Sequence, residues 1–373
     1  MRDLLGLLCV CALGLLPVVG CNTSSDDGGG TGGTAGSGGA GGTAGGAGTG
    51  GEANEVYCDG QTSAEDCTLA VVPVPDFADV QCVDTAGANN CPASGETYFG
   101  QDGNFSINVE SYTFVSTGDP RLIEAVSGLT WATTAFLADA FGDAEAECAA
   151  LATANYGALS DWRVPTLREL ARIISKGALA GVWPSEMDNP SQAGWWTSTI
   201  DKADPTMMIG MSGSWPWTEP MPVGGGGGPF AGSRYTFCVS GEPMAGAWVV
   251  NPDGVTVTHT TTGLTWHRSA SVDQAMTWDT ALQYCETSTV ADFSDWRLPT
   301  LREQVSVFDL DTPSGFMSDA FGPEPTTNVW TGTPNRIGAM FTEVAWANED
   351  TGQVRQENIG ILLGAARCVR GPL

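Results

Sequence analysis

The sequence predicts an α+β protein in which one small domain occurs twice. Two observations support this prediction. Short motifs recur in the same order along the chain, and each copy places helix-start signals beside β-branched, alternating segments that are typical of strands. We expect two helices and a small, mainly antiparallel sheet in each copy, after a disordered glycine-rich tether.

Four motifs define the repeat. In the first and second copies, they are the Gly-Leu-Thr-Trp segments 128–131 and 263–266, the segments 161–169 and 295–303 that begin Asp-Trp-Arg, the Trp-Thr pairs 196–197 and 330–331, and the Cys-Val pairs 238–239 and 368–369. One duplicated domain accounts for all four matches. We therefore divide the C-terminal part of the chain into repeat 1, residues 104–243, and repeat 2, residues 244–373.

Each repeat contains the signals for two helices. Thr166 with Glu169, and Thr300 with Glu303, form capping boxes that predict a helix after each threonine. An earlier helix is expected at residues 144–152, with Asp143 as its N-cap, and at residues 278–286. Strands are expected at 245–250, 255–258 and 344–347, and at the Gly-Leu-Thr-Trp segments, where the tryptophan points inward.

The N-terminus has the pattern of an export signal. Residues 4–16 are apolar but too few to span a bilayer. Val18-Val19-Gly20-Cys21 resembles the lipobox of bacterial lipoproteins, which implies that residues 1–20 are removed and that Cys21 is lipidated. The alternative is an ordinary signal peptide with a chance cysteine. Residues 21–54, rich in Gly, Thr, Ala and Ser, form the tether. Because Asn22, not Asp, follows the cysteine, we expect an outer-membrane, surface-facing location.

The 11 cysteines predict disulfides. Two leave with the signal peptide and Cys21 is lipidated, which leaves an even number in an exported chain. The repeat predicts the pairs Cys148–Cys238 and Cys285–Cys368. The acidic segment 55–103 is expected to form a small four-cysteine module with Cys58–Cys67 and Cys82–Cys91, although the other two connectivities stay open. A zinc site is disfavoured because the cysteine spacing is too long.

The net charge of -28, from 43 acidic and 15 basic residues, excludes nucleic acid as a partner. From Cys21 to Pro120 the chain has no Lys or Arg at all. The two histidines cannot form a multi-histidine metal centre, and we expect His259 and His267 to be surface residues, not general bases. No cofactor or metal is predicted. Calcium stays open because the chain is acidic, but it is disfavoured because the sequence has no loop of alternating acids.

The repeated motifs resemble those of the Lcl C-terminal domain family, which occurs in bacterial surface and exported proteins. Repeat 2, ending Arg367-Cys368-Val369-Arg370, is the closer match; repeat 1 ends Phe237-Cys238-Val239-Ser240 and lacks both arginines. The helix start and the terminal Arg-Cys-Val are also similar to those of the formylglycine-generating enzyme group. These resemblances imply two tandem domains with a C-type-lectin-like fold.

Two groups of residues could form a functional site, and each also has a structural interpretation. The motifs Asp161-Trp162-Arg163 and Asp295-Trp296-Arg297 are interpreted as structural, with Trp in the core and Asp and Arg bonded locally. The insertion at 201–234 is the candidate ligand-binding loop, since Met and Trp form adaptable contact surfaces for sugars or peptides. Its alternative is a flap that buries these residues against its own domain. The loop candidates are Met207, Met208, Met211, Trp215, Trp217 and Met221.

We therefore expect a non-catalytic, lipid-anchored surface protein that binds a neutral polysaccharide or a protein partner. Sulfated glycans, a ligand class associated with a member of the family, are disfavoured because the chain is anionic. A structural envelope component is the alternative. A modifying enzyme of the formylglycine-generating type is less favoured, because each repeat lacks the extra cysteines such enzymes need.

Overall fold

The computed structural model describes residues 72–75, 82–105, 110–174, 183–188, 190, 194–201, 204–212, 217–225, 234–243, 246–271, 276–308, 317–321, 328–335, 343–349, 352–359 and 363–371. These residues form an α+β structure with few helices and several small antiparallel sheets. The predicted tether, Cys21, Cys58 and Cys67 lie outside them. No helix in the described ranges has the length and apolar character needed to cross a membrane.

Repeat 1 is built around a four-stranded antiparallel sheet, whose strands lie side by side in the order Val239–Ser240, Thr130–Ala132, Arg121–Glu124 and Tyr112–Val115. A short hairpin, β1 (Cys82–Asp84) and β2 (Gly87–Asn89), precedes it. The elements of the repeat are β3 (Tyr112–Val115), β4 (Arg121–Glu124), β5 (Thr130–Ala132), β6 (Phe136–Ala138), α1 (Phe141–Thr153), α2 (Leu167–Arg172), β7 (Met207–Ser212), β8 (Trp217–Pro222), β9 (Arg234–Thr236) and β10 (Val239–Ser240).

Repeat 2 has a corresponding four-stranded sheet, in the order Trp248–Val250, Thr256–His259, Thr265–His267 and Val369–Arg370, and a second sheet of three strands. Its elements are β11 (Trp248–Val250), β12 (Thr256–His259), β13 (Thr265–His267), α3 (Trp278–Glu286), α4 (Leu301–Ser306), β14 (Asn328–Asn335), β15 (Glu343–Asn348), β16 (Gln353–Asn358) and β17 (Val369–Arg370). In both repeats the terminal strand pairs with the Gly-Leu-Thr-Trp strand, whose tryptophan, Trp131 or Trp266, is fully buried as predicted.

The helix-start signals act as predicted in three of four cases. At α2 and α4 the threonine hydroxyl accepts from the amide of Glu169 or Glu303, and each glutamate accepts from the threonine amide. Helix α3 has the predicted bounds. Helix α1 begins earlier than predicted, and the assignment of Asp143 as its N-cap is wrong. The N-cap is Ala140, whose amide donates to Asp143 Oδ2 at 3.1 Å.

Three disulfides hold the described part of the chain together. Cys148 on α1 is bonded to Cys238, and Cys285 on α3 is bonded to Cys368, so each bond joins a helix to the segment just before the terminal strand. The third joins Cys82 to Cys91. These are the pairs that the repeat and the matched gaps predict, and all six cysteines among the described residues are in disulfides.

The two repeats contact each other through equivalent residues. Arg168 of α2 donates from its guanidinium to the carbonyl of Phe308, just beyond the end of α4. Arg302, the equivalent residue of α4, donates to the carbonyl of Ile174, just beyond the end of α2. The reciprocal pattern is that of an isologous interface, in which the same patch is used on both sides. Residues of both repeats accordingly share one apolar core.

The described parts of segment 55–103 pack on the repeats. Arg172 donates to the carbonyl of Pro73 at 3.1 Å, and Arg302 donates to the carbonyl of Pro75 at 3.2 Å. Val83 lies in the apolar cluster around α3. This segment therefore takes part in the core of the repeats.

Candidate ligand-binding site

The insertion at 201–234 does not form the exposed methionine surface considered for it. Its described residues include the hairpin β7-β8, in which Met208, Met211 and Met221 are buried and Met207 is half-buried. Trp215 lies outside the described residues, and nothing is described of the Trp217 side chain. The methionines thus follow the alternative interpretation, a flap whose side chains pack inward.

The β7-β8 hairpin also packs against repeat 2. The hydroxyl of Thr218 donates to the carbonyl of Gly352 at 2.6 Å and accepts from the amide of Val354 at 2.8 Å. On its repeat 1 side, the amide of Trp195 donates to the carbonyl of Met211 at 2.6 Å, and the amide of Met211 donates to the carbonyl of Trp195 at 3.0 Å. The flap therefore packs against both repeats, whereas the sequence suggested its own domain alone.

The Asp-Trp-Arg motifs have structural contacts. Trp162 and Trp296 are buried, and each donates its indole N–H to a backbone carbonyl at 3.0 Å. Arg163 forms a two-pronged ion pair with Glu169, and Arg297 forms the same pair with Glu303. The glutamate of each capping box thus also anchors the arginine of the motif.

The prediction that both histidines lie at the surface is wrong, since His259 is 4% exposed and His267 is 3% exposed. The His267 ring packs edge-on against Trp296, and its Nε2 is 3.1 Å from the hydroxyl of Ser288. Burial, aided by the charge of Arg367, lowers the pKa of His267 to about 4. Their polar partners and ring contacts make both imidazoles part of the packed interior.

A cavity of about 470 Å³ lies on the outer side of the main sheet of repeat 2. The β11-β12 turn, the adjoining faces of β12 and β13, the turn at 291–293 and β17 surround it. Both polar and apolar residues line the cavity. The polar residues are Asn251, Asp253, Thr258, His259, Thr260, Thr265, Asp292 and Arg370, and the others are Val249, Pro252, Gly263, Ala291, Phe293 and Gly371.

A row of polar side chains crosses the sheet at this cavity. Thr258, Thr265 and Arg370 are in register on three neighbouring strands, on the opposite face from the buried Val257, Trp266 and Val369. The hydroxyls of Thr258 and Thr265 are 2.9 Å apart. Asn251 extends the row, because its amide nitrogen donates to Thr258 at 3.0 Å.

Arg370 ends this row in a fixed position. Its Nε donates to Asp295 at 2.7 Å, and its guanidinium carbon lies 3.6 Å from the ring centroid of Phe293, itself 38% exposed. The terminal guanidinium nitrogens have no partner among the described residues. The side chain is therefore held by its Nε, which bonds to Asp295, and by the face of its guanidinium, which packs on Phe293. It presents its remaining donors at the cavity without having to be ordered first.

Repeat 1 lacks this row although its backbone is equivalent. Ile123, Thr130 and Ser240 occupy the positions of Thr258, Thr265 and Arg370. The hydroxyl of Ser240 and the amide of Gly241 both donate to Asp161, and the Ser240 hydrogen bond, in spite of burial, lowers the pKa of that carboxyl. The polar row therefore belongs to repeat 2.

The turn at the rim of the cavity has an unusual backbone. Ala291 and Asp292 have positive φ values of 54° and 63°, a region that non-glycine residues seldom adopt. The equivalent residues Gly157 and Ala158 have values of 64° and 62°. Because both repeats share this conformation, we attribute it to the fold and not to the cavity.

Methionine and tryptophan are equally suited to a binding surface and to a core, so the sequence left a ligand-binding loop and a buried flap as alternatives for the insertion. The signal for the cavity was present in the alternation Thr256, Thr258 and Thr260, which places polar groups at every second position of the β12 segment. Among the described residues, no cluster of three or more His, Cys, Asp or Glu is arranged to hold a metal ion.

One comparison with known proteins finds a match, and it lies in repeat 2. The model of the family described as the Lcl C-terminal domain matches residues 255–370, which include most of the cavity lining. A search of curated proteins finds no match. The chain is thus similar to the Lcl C-terminal domain family over repeat 2.

Proposed function

We propose that the chain is a non-catalytic, lipid-anchored surface protein with two tandem copies of one C-type-lectin-like domain, and that it recognises an extracellular carbohydrate or protein through the second copy, repeat 2. The observation that carries this proposal is the cavity on repeat 2. A concave site lined by apolar surface with a few fixed polar groups is the usual form of a small-ligand site.

The tandem arrangement is supported by contacts that recur at equivalent residues. Both repeats have the capping box, the Arg–Glu pair, the buried motif tryptophans and the helix-to-strand disulfide. The non-catalytic role rests on the sequence expectation alone, since each repeat lacks the extra cysteines of the formylglycine-generating type. The lipid anchor at Cys21 rests on the lipobox alone.

The proposal is tested with the full chain carrying Cys21→Ser, so that it is secreted without lipid. We expect this protein to bind at least one carbohydrate on a glycan array or one surface protein in a cross-linking pull-down. Loss of radiolabelled fatty-acid incorporation in the same variant would support the anchor. If neither screen finds a ligand and deletion alters the envelope, the structural alternative is supported instead.

A further inference from the structure

The cavity on repeat 2 has features that narrow the chemistry of its ligand. Its volume of about 470 Å³ matches a site for a small molecule or for one or two units of a polymer. A flat protein epitope would need a much larger contact area than such a cavity offers. The shape therefore favours a ligand that inserts a compact group.

The charges at the cavity disfavour an anion. Asp253 and Asp292 line it, and Asp295 lies directly behind Arg370. Arg370 is the one Lys or Arg among the described lining residues, and its charge is already offset by Asp295. A ligand carrying several sulfates or carboxylates would meet net negative charge at short range.

The polar row offers donors and acceptors in alternation. Thr258 and Thr265 carry hydroxyls that both donate and accept, Asn251 carries an amide, and Arg370 supplies only donors. Apolar surface from Val249, Pro252 and Phe293 lies beside them. A ligand that matches this lining carries hydroxyl groups, which both donate and accept hydrogen bonds, on a carbon framework whose C–H groups pack on the apolar residues.

We propose that this cavity binds an uncharged saccharide, with Thr258, Thr265 and Arg370 hydrogen-bonding its hydroxyls. The inference rests on the recognition function proposed above and names the ligand class of the same site. Repeat 1 does not share the ligand, because Ile123 and Ser240 stand where repeat 2 has Thr258 and Arg370.

The test uses the Cys21→Ser full chain and a panel of neutral saccharides, namely dextran, mannan, galactan and chitin oligosaccharides, with alginate and heparin as anionic probes. We expect a neutral saccharide to bind with a Kd that changes little between low and high salt, since screening acts on charged partners. The best binder is then titrated by calorimetry against variants.

The variants are chosen from the chain itself. Thr258→Ile and Arg370→Ser install the residues that repeat 1 has at these positions, and Thr265→Val removes a hydroxyl at constant shape. Each is expected to weaken binding by about five- to tenfold, the equivalent of one hydrogen bond. Thr130→Val in repeat 1 is the matched control and is expected to leave the Kd unchanged. Thermal unfolding checks that every variant is folded.

Other outcomes separate this inference from the proposed function. A saccharide that binds equally well to all variants, or an anionic glycan as the best binder, would overturn the inference and leave surface recognition standing. Capture of a protein with no saccharide bound would do the same. Absence of any ligand in these screens and in the pull-down would contradict the proposed function itself.

Discussion

The terminal strands of the two repeats occupy the same place in their sheets but are held by different interactions. In repeat 1, the Phe237 ring stacks on Trp195 with centroids 4.6 Å apart and meets Trp183 edge-on at 5.3 Å. In repeat 2 the equivalent Arg367 is fully buried and forms a two-pronged ion pair with Glu349 at 2.8 and 2.9 Å. One position is thus aromatic with aromatic partners and the other ionic with an ionic partner.

A second pair of equivalent residues, Ser240 and Arg370, also differs in its partners, here at the surface. Ser240 completes the hydrogen bonds of Asp161, whereas Arg370 pairs with Asp295 and remains partly free at the cavity. The backbone and the helix-start motifs are common to both repeats. Side-chain partners are thus replaced as a set while the backbone stays the same, and one of the replaced residues, Arg370, lines the cavity in repeat 2.

The disulfides provide the largest expected effect and test whether the repeats are equally dependent on their cross-links. The bonds close segments of 90 and 83 residues. In the chain-entropy model, Cys148→Ala/Cys238→Ala and Cys285→Ala/Cys368→Ala should each lower the free energy of unfolding by about 4–5 kcal/mol. Urea unfolding of the two double variants measures this. A difference of several kcal/mol between them would contradict the equivalence of the repeats.

The buried ion pair of Arg367 with Glu349 tests whether the two residues that replace the aromatic contacts of repeat 1 act as a set. Arg367→Met leaves the Glu349 carboxylate buried without its main partner, which should cost about 3–5 kcal/mol in the free energy of unfolding. Adding Glu349→Leu removes that charge and should restore most of the loss. Urea titrations of both variants give the comparison. If the double variant is no more stable than the single one, the two residues do not act as a set.

The buried His267 predicts a pH dependence that repeat 1, with Ala132 at that position, lacks. Its folded pKa of about 4 lies below the ordinary value of 6.5, so the unfolded chain takes up the proton first. The stability tied to His267 is complete above pH 6.5 and lost between 6.5 and 4. Between pH 7 and 5 the loss should be about 2 kcal/mol. His267→Gln should flatten this part of a pH series of urea titrations; an unchanged slope would refute the assignment.

The capping boxes give the smallest effect. Thr166→Ala and Thr300→Ala each remove the acceptor for the amide of the glutamate three residues on, which should cost about 1 kcal/mol in the free energy of unfolding. Thr→Ser at the same positions keeps the acceptor and serves as the control. Equal losses on thermal or urea unfolding are expected, and a loss confined to one repeat would show that its helix is held by other contacts.

Much of the fold could be predicted because local rules dictate it. The capping boxes could be predicted because their Thr and Glu lie three residues apart and bond to each other. The burial of the tryptophans in the Gly-Leu-Thr-Trp strands could be predicted from the alternation of strand side chains. The boundary of α1 was missed because no side-chain cap marks Ala140. The sequence left two interpretations of the insertion open, because the burial of Met208 and Met211 depends on how the flap packs on the rest of the fold, which no local pattern records.

The sequence was enough to predict the helix starts of α2 and α4 and the partners of four cysteines, since these follow from short-range spacing and from the recurrence of the motifs. Three features could be known only from the folded chain: the histidines are buried, Arg168 and Arg302 join the repeats reciprocally, and Thr258, Thr265 and Arg370 line one cavity. These features arise where strands distant in sequence come into register. Neighbouring strands bring together residues such as Thr265 and Arg370, which lie a whole domain apart along the chain.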